Sequence, residues 1–173
     1  MTVTIHLADP DPAWAEQYRH EERRILAALG DIALTVEHVG STSVPQLAAK
    51  PIVDILLLVP DSRDELAYVP SLIAIGHAFE RREPHWHEHR LLRASDPAVN
   101  LHVFSVGDPE AARMVLFRDH LRRDETDRLL YESTKRQLTQ QQWTSVQHYA
   151  DAKTPVVSAI RARATATAAD PDA

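Results

Sequence analysis

Residues 37–59 read EHVGSTSVPQLAAKPIVDILLLV. Ile32 to Val39 has the character of a strand, and Gly40 to Lys50 that of a loop or short helical turn. Ile52 to Val59 is a second strand, apolar on both faces, as expected of a strand buried inside a sheet. Its one charge is Asp54, four residues after Lys50. Aspartate is seldom buried unless it is paired, hydrogen-bonded or bound to a cation. Asp54 therefore has three open explanations: it ligates a metal or works in catalysis, it forms an ion pair with Lys50 or an arginine, or it accepts hydrogen bonds from the neighbouring loop.

The loop before it, Gly40-Ser41-Thr42-Ser43, has the composition of an anion cradle. Glycine permits a tight turn and a close approach, and the N–H groups and hydroxyls that follow can point at phosphate oxygens. Ordinary strand-to-helix turns share this pattern, so the loop acquires meaning only beside Asp54.

Outward from this stretch, Val3, Ile5 and Leu7 alternate with polar residues as a short edge strand or extended arm. Asp11-Pro12 starts a helix that carries Trp14, Tyr18, Ile25 and Leu29 on one face and stops at Gly30. A helix is expected over 64–75. Strands are expected over 77–82, 89–94 and 101–106, and three helices over 109–123, 125–141 and 146 to about 164. The layout is an α+β chain with a mixed sheet flanked by helices and a helical C-terminal third. At 173 residues it fits a single domain, 1–173, whose last stretch, about 165–173, has little to bury and reads as a frayed tail.

The chain has no cysteine, which excludes disulfides and thiolate metal sites. No leader pattern opens it, and its longest apolar run is too short to span a bilayer, so a cytoplasmic location and no membrane partner are expected. With 19 basic and 25 acidic residues the net charge is −6, which argues against general nucleic-acid binding. A local basic patch from Arg81, Arg82, Arg90 and Arg93 is the alternative to a solvated surface there.

His85-Trp86-His87-Glu88-His89 would put three histidines on one face of an extended segment, a possible zinc set. An exposed histidine-rich loop is the plainer reading, with His89 the one to carry forward as the start of a strand. Arg118 either faces a phosphate or forms an ion pair; Arg122 and Arg123 read as solvated surface. His38 is a pocket-rim candidate or a satisfied core histidine. Trp143, Val146 and Tyr149 read as packing, although Tyr149 and Lys153 share a helix face and could close over the site.

These residues together resemble the GrpB family. HVGSTSVPQLAAKPIVDILL, residues 38–57, is similar to its signature, with Gln46 where the family has glycine. Asn100-Leu101-His102-Val103, Leu116 to Arg122, Tyr131 with Lys135, and Tyr149 with Lys153 resemble further family motifs in order, so that the likeness covers about residues 5 to 162. The resemblance implies a nucleotidyltransferase-like fold, similar to DNA polymerase beta. On that fold a Gly-Ser turn holds a triphosphate, and a strand presents two carboxylates at i and i+2 to divalent cations. Carried over by position, Gly40, Ser41, Thr42, Ser43, Lys50 and Arg118 become phosphate-binding candidates and Asp54 the catalytic carboxylate. Asp54 and His102 become metal candidates for Mg or Mn. His38, His89, Asn100 and His102 are pocket candidates. The second carboxylate position is Leu56, a departure that weakens two-metal transfer. The expected partner is a small-molecule nucleotide or other anion. The expected function is nucleotidyl or related transfer to a small acceptor, with a non-catalytic nucleotide- or anion-binding domain as the alternative.

Overall fold

The computed structural model describes residues 2–169. Its centre is one five-stranded mixed sheet of β1 (Thr35–Val39), β2 (Val53–Val59), β3 (Ala78–Glu83), β4 (His89–Ser95) and β5 (Ala98–Ser105), in the order β1-β2-β5-β4-β3. Only the β2–β5 pair is parallel. The register sets Asp54 between Val39 and Asn100, and Leu56 between Glu37 and His102.

The two faces of β2 carry different loads. Val53, Ile55, Leu57 and Val59 pack under α1 (Ala13–Leu29) and α2 (Val69–Ala74), against Trp14, Ile25, Leu29, Tyr68 and Leu72. On the reverse face Leu56 joins Val39, Phe104 and Ala111 beneath α3 (Pro109–Arg123). Asp108 caps α3, its Oδ1 accepting from the Glu110 N–H at 2.8 Å, and Pro109 follows at a position that needs no N–H. A third apolar cluster ties the loop residues Val44 and Leu47 to Leu121 of α3, Tyr131 of α4 (Glu125–Thr139) and Ile160 of α6 (Thr154–Ala169).

The α+β layout with a helical C-terminal third is the architecture found, with differences that have local causes. The helix expected over 64–75 is a 3₁₀ turn, Glu65–Ala67, followed by α2, because Pro70 has no N–H to donate and its ring would clash with the carbonyl four residues back. Pro155 has the same effect on the third C-terminal helix, which divides into α5 (Val146–Ala152) and α6. α6 continues to Ala169 with Ala164 buried, so residues 165–169 of the expected frayed tail are helical, and 170–173 lie outside the described residues. The N-terminal alternation makes an arm held by single bridges, Val3 to Trp143 and Ala8 to Ala49. Among the described residues no helix is long and apolar enough to cross a membrane.

Leu56 is 1% exposed, so the position two residues beyond Asp54 belongs to the core beneath α3. Leu56→Ala is expected to destabilise the fold by about 2–5 kcal/mol, read as a lower urea midpoint at unchanged slope.

Candidate functional site

Asp54 is the single carboxylate of β2 and sits at the strand's open end, its side chain 27% exposed. Asn100 Nδ2 donates to its Oδ1 at 2.9 Å, and His102 Nε2 lies 3.3 Å from the same oxygen. Parallel pairing of β2 with β5 places both partners on the same face as Asp54. Burial pushes the Asp54 carboxyl up. The bonds from His102 and Asn100 and the nearby charge of Lys50 outweigh it and hold the group below its ordinary range. No ion pair to Lys50 is formed among the described residues. The lone carboxylate is accommodated by hydrogen bonds from the neighbouring strand.

The chain of contacts continues across the sheet. His102 Nδ1 lies 3.1 Å from His89 Nε2, and His89 Nδ1 lies 2.7 Å from Glu83 Oε2. Trp86 and Phe104 enclose His89, and its burial, with the charge of His102 beside it, lowers it to about 4. A neutral His89 with its proton on Nδ1 donates to Glu83 and accepts at Nε2. His102 stands between His89 and Asp54, with one ring nitrogen toward each.

Gly40 defines the other wall. It has φ +70°, and a Cβ there would stand 2.4 Å from Asp54 Oδ2 and 2.9 Å from Asp54 Cβ. Only glycine fits both the backbone angle and the approach. Beyond it, Ser41, Thr42 and Ser43 take separate roles. The Ser41 hydroxyl receives a hydrogen bond from Lys135 Nζ at 3.1 Å. Thr42 Oγ1 lies 3.0 Å from His38 Nε2, and Ser43 Oγ donates to the Gly40 carbonyl. Thr42 and Ser43 thus brace the turn, leaving Ser41 as the hydroxyl that faces the site. Gln46 keeps a positive φ of 66° without being glycine.

Three amines converge here. Lys135, on α4, also donates to the Ala48 carbonyl, while Glu132 of the same helix accepts from the Ala48 N–H at 2.9 Å. Lys135 lies 4.6 Å from the centre of the Tyr131 ring, and Lys153 lies 4.8 Å from that of Tyr149. Lys50 is 5.8 Å from the Tyr149 ring on its own side. Burial, reinforced by the charge of Lys153, lowers Lys135 to about 7; burial, reinforced by Lys50, lowers Lys153 to about 8. Burial also lowers Lys50, opposed by Asp54 and assisted by Arg93. Among the described residues the side chains of Lys50 and Lys153 have no hydrogen-bond or ion-pair partner, and the buried Tyr149 hydroxyl has none either.

Of the candidates named from the sequence, Gly40, Ser41, Lys50, Asp54, Asn100 and His102 come together, with His89 behind His102. His38 lies on the opposite face of β1, stacked on Tyr18 at 4.7 Å and lowered to about 4 by burial and the nearby Arg122. Arg118 is held by Glu37 at 2.6 Å, Asp119 at 2.8 Å and the His38 carbonyl at 2.9 Å, which fixes β1 to α3. Arg122 is exposed, as expected, and also donates twice to the Ser43 carbonyl. Arg81, Arg82, Arg90 and Arg93 each meet a glutamate, so they form no unpaired basic patch. His85 is exposed and His87 meets Asp108 at 3.2 Å, leaving the three histidines apart. Glu37 and Glu88 are engaged by Arg118 and Arg90 and supply no second acid to Asp54. The one close histidine–carboxylate trio among the described residues is His120, Asp124 and Asp127 at the α3–α4 junction, where Arg163 already pairs with Asp127 at 2.6 Å.

Lys153, with Tyr149, is expected from the sequence to be able to close over the site, whereas Lys135 is not singled out as a site residue. Their shared spacing, Tyr131 to Lys135 and Tyr149 to Lys153, was the available signal, because residues at i and i+4 meet on one helix face.

The sheet, its flanking helices and the Gly-Ser turn ahead of a strand bearing one carboxylate define a nucleotidyltransferase-like fold. The chain aligns with the Cid1 poly(U) polymerase, solved with Mg 3′-dATP bound, at TM-score 0.54 over 76% of this chain and 44% of that one. At 14% identity that likeness shows the fold alone. Residues 4–163 match the family described as GrpB protein, and the chain belongs to that family. It is similar to the conserved protein GrpB from Enterococcus faecalis, at TM-score 0.80 and 29% identity over 92% of this chain and 96% of that one. It is 52% identical over 165 residues to UPF0157 protein BH1888 of Halalkalibacterium halodurans, covering 95% of this chain and 85% of the relative.

Gly40→Ala is expected to push Asp54 away from Asn100 and lower the melting temperature, while the same change at Gly107, where a Cβ meets nothing within 4 Å, strains only the backbone. Thermal melts of the two variants compare the contact with the angle alone. The lysines give a second prediction. Their amines bind protons less readily in the folded chain than in the unfolded one, so stability rises with pH from about 7 and 8 towards the ordinary lysine value near 10.4. Urea titrations between pH 6.5 and 9.5 should show this rise, and Lys135→Met with Lys153→Met should flatten it.

Proposed function

We propose that this site binds a nucleoside triphosphate with one divalent cation and passes a nucleotidyl or related group to a small acceptor. The observation that carries the reading is Asp54 lying directly against Gly40 and close to Lys50 and Lys153, neither of which has an ion-pair or hydrogen-bonding partner among the described residues, with Lys135 bonded to the adjacent Ser41. Partly desolvated cations that repel one another are costly without an anion between them. A chain of phosphates supplies that anion, with Lys50, Lys135 and Lys153 as point charges, and Ser41 and the free Tyr149 hydroxyl as further donors.

The donor set at Asp54 suits one cation. Magnesium or manganese accepts one or two carboxylates, completes its shell with water and phosphate oxygens, and needs no protein cage. Asp54 would hold it, through the oxygen not engaged by Asn100 and His102. Such a cation supplies neutralisation of the triphosphate charge. His102 fits poorly as a ligand because its nitrogens are engaged by Asp54 and His89. A second cation also fits poorly, because Leu56 fills the second carboxylate position. The residues of the chain have separable tasks: the lysines and Ser41 position phosphates, Tyr131 and Tyr149 keep water off the amines, and Asn100 with His102 orients Asp54.

The buried Leu56 also favours a second reading, a nucleotide- or anion-binding domain without transfer. Melting curves with each common nucleoside triphosphate, with and without Mg or Mn, separate the two. Ligand at a hundred times its dissociation constant adds about 2.7 kcal/mol. The first reading expects a shift that grows with metal, loses its metal dependence in Asp54→Asn and shrinks in Lys153→Gln. A shift indifferent to metal moves the assignment to the second reading, and no shift with any nucleotide removes both.

A further inference from the structure

Beside Asp54 a cavity of about 620 Å³ opens between the N-terminal arm, the adjoining ends of β2, β4 and β5, and the start of α5. Its size falls in the range of small-molecule pockets. Lys50, Arg93, Asn100 and His6, with the hydroxyls of Thr4 and Ser95, supply its polar lining, and Ile5 and Val146 contribute to an apolar remainder. No lining residue is acidic, in a chain whose net charge is −6. Asn100 lines the cavity and donates to Asp54 at the same time, so the cavity and the carboxylate share a wall. Lys50 lies between the amine cluster around Tyr149 and this cavity. Arg93, at the opposite side, has only a half-exposed contact with Glu80 at 3.3 Å, which leaves its charge weakly compensated.

We infer that this cavity is a second ligand site, one that takes a small organic anion with an apolar body and a carboxylate or phosphate head held by Lys50 and Arg93. Resting on the transfer reading above, that anion is the acceptor. Its oxyanion forms the bond to the α-phosphorus while the bond from that phosphorus to the departing pyrophosphate breaks. The nucleophile is already ionised, so no proton has to be removed. The products are a mixed anhydride and pyrophosphate. The cavity adjoins the amine cluster through Lys50 alone, since Lys135, Lys153 and Ser41 are not among its lining residues.

Ligand-observed NMR with a panel of aliphatic and aromatic monocarboxylates and the matching phosphate monoesters tests the site on the full-length chain. Carboxylates and phosphates report separately on the head group. Binding by members of either class, weakened at least tenfold in Arg93→Gln and blocked by Ala98→Phe, which fills the cavity, supports the inference. Circular dichroism melts establish that each variant is folded, and Arg93→Glu at the exposed guanidinium serves as a second variant should Ala98→Phe not fold. Nucleotide shifts measured on the same variants are expected to persist. Their loss together with anion binding would assign the cavity to the nucleoside and overturn the inference, as would anion binding indifferent to both substitutions or no binding at all. Anion binding without any nucleotide shift in the unaltered chain would leave the cavity standing and remove the transfer reading.

Discussion

The contact between Gly40 and Asp54 is the constraint on which the rest of the site depends. A carboxylate on an otherwise apolar strand needs donors, and β2 obtains them by pairing in parallel with β5, which brings Asn100 and His102 to the same face. The turn after β1 can then close over Asp54 only if the residue there has no side chain and accepts a positive φ. Position, register and residue type are thereby linked. A one-residue slip of β2 would turn Asp54 into the core beneath α1 and expose Val53 and Ile55, so the apolar face enforces the register that the site requires.

The C-terminal helices stand in the same relation to the loop. α4 grips Ala48 through both of its backbone groups, and Leu47 is buried among residues of α3, α4 and α6. The loop of the site is therefore held from two directions, by Asp54 below and by the helical third above. The same helices carry Lys135 and, at the end of α5, Lys153. Each lysine lies over a tyrosine ring, an arrangement that shields the amine from water while retaining some attraction for its charge. A hydrophobic helix contact would have stabilised the fold with less penalty than these amines carry.

Much of this was legible in the sequence, where local chemistry decides the outcome. Asp108-Pro109 marks the start of α3, the apolar run of β2 marks a buried strand, and Gly40 and Asp54 stand out as a turn residue and an unaccompanied charge. Proline at 70 and 155 was equally visible, but each lies within a periodic pattern that continues past it, and the structure shows the break prevailing. What the sequence withheld depends on distance along the chain. Ser41 and Lys135 are 94 residues apart, and Arg118 meets Glu37 across 81. An arginine on a helix looks the same whether it faces a ligand or an acid on another element. Only the fold places Arg118 against Glu37 and Lys135 beside Ser41.

The single acid of β2 follows from how the strand changes surroundings along its length. Side chains at i and i+2 share a face, so two carboxylates there would both face the site if the face stayed open. In this chain α3 covers the face from Leu56 onward, with Ala111, Met114 and Val115 packed against it, and only Asp54 remains at the opening. A carboxylate at 56 would be buried in hydrocarbon, far from its usual environment. The strand can therefore present one carboxylate at the opening, and the positive groups beside it come from elsewhere in the chain, Lys50 from the loop ahead of β2 and Lys153 from the end of α5.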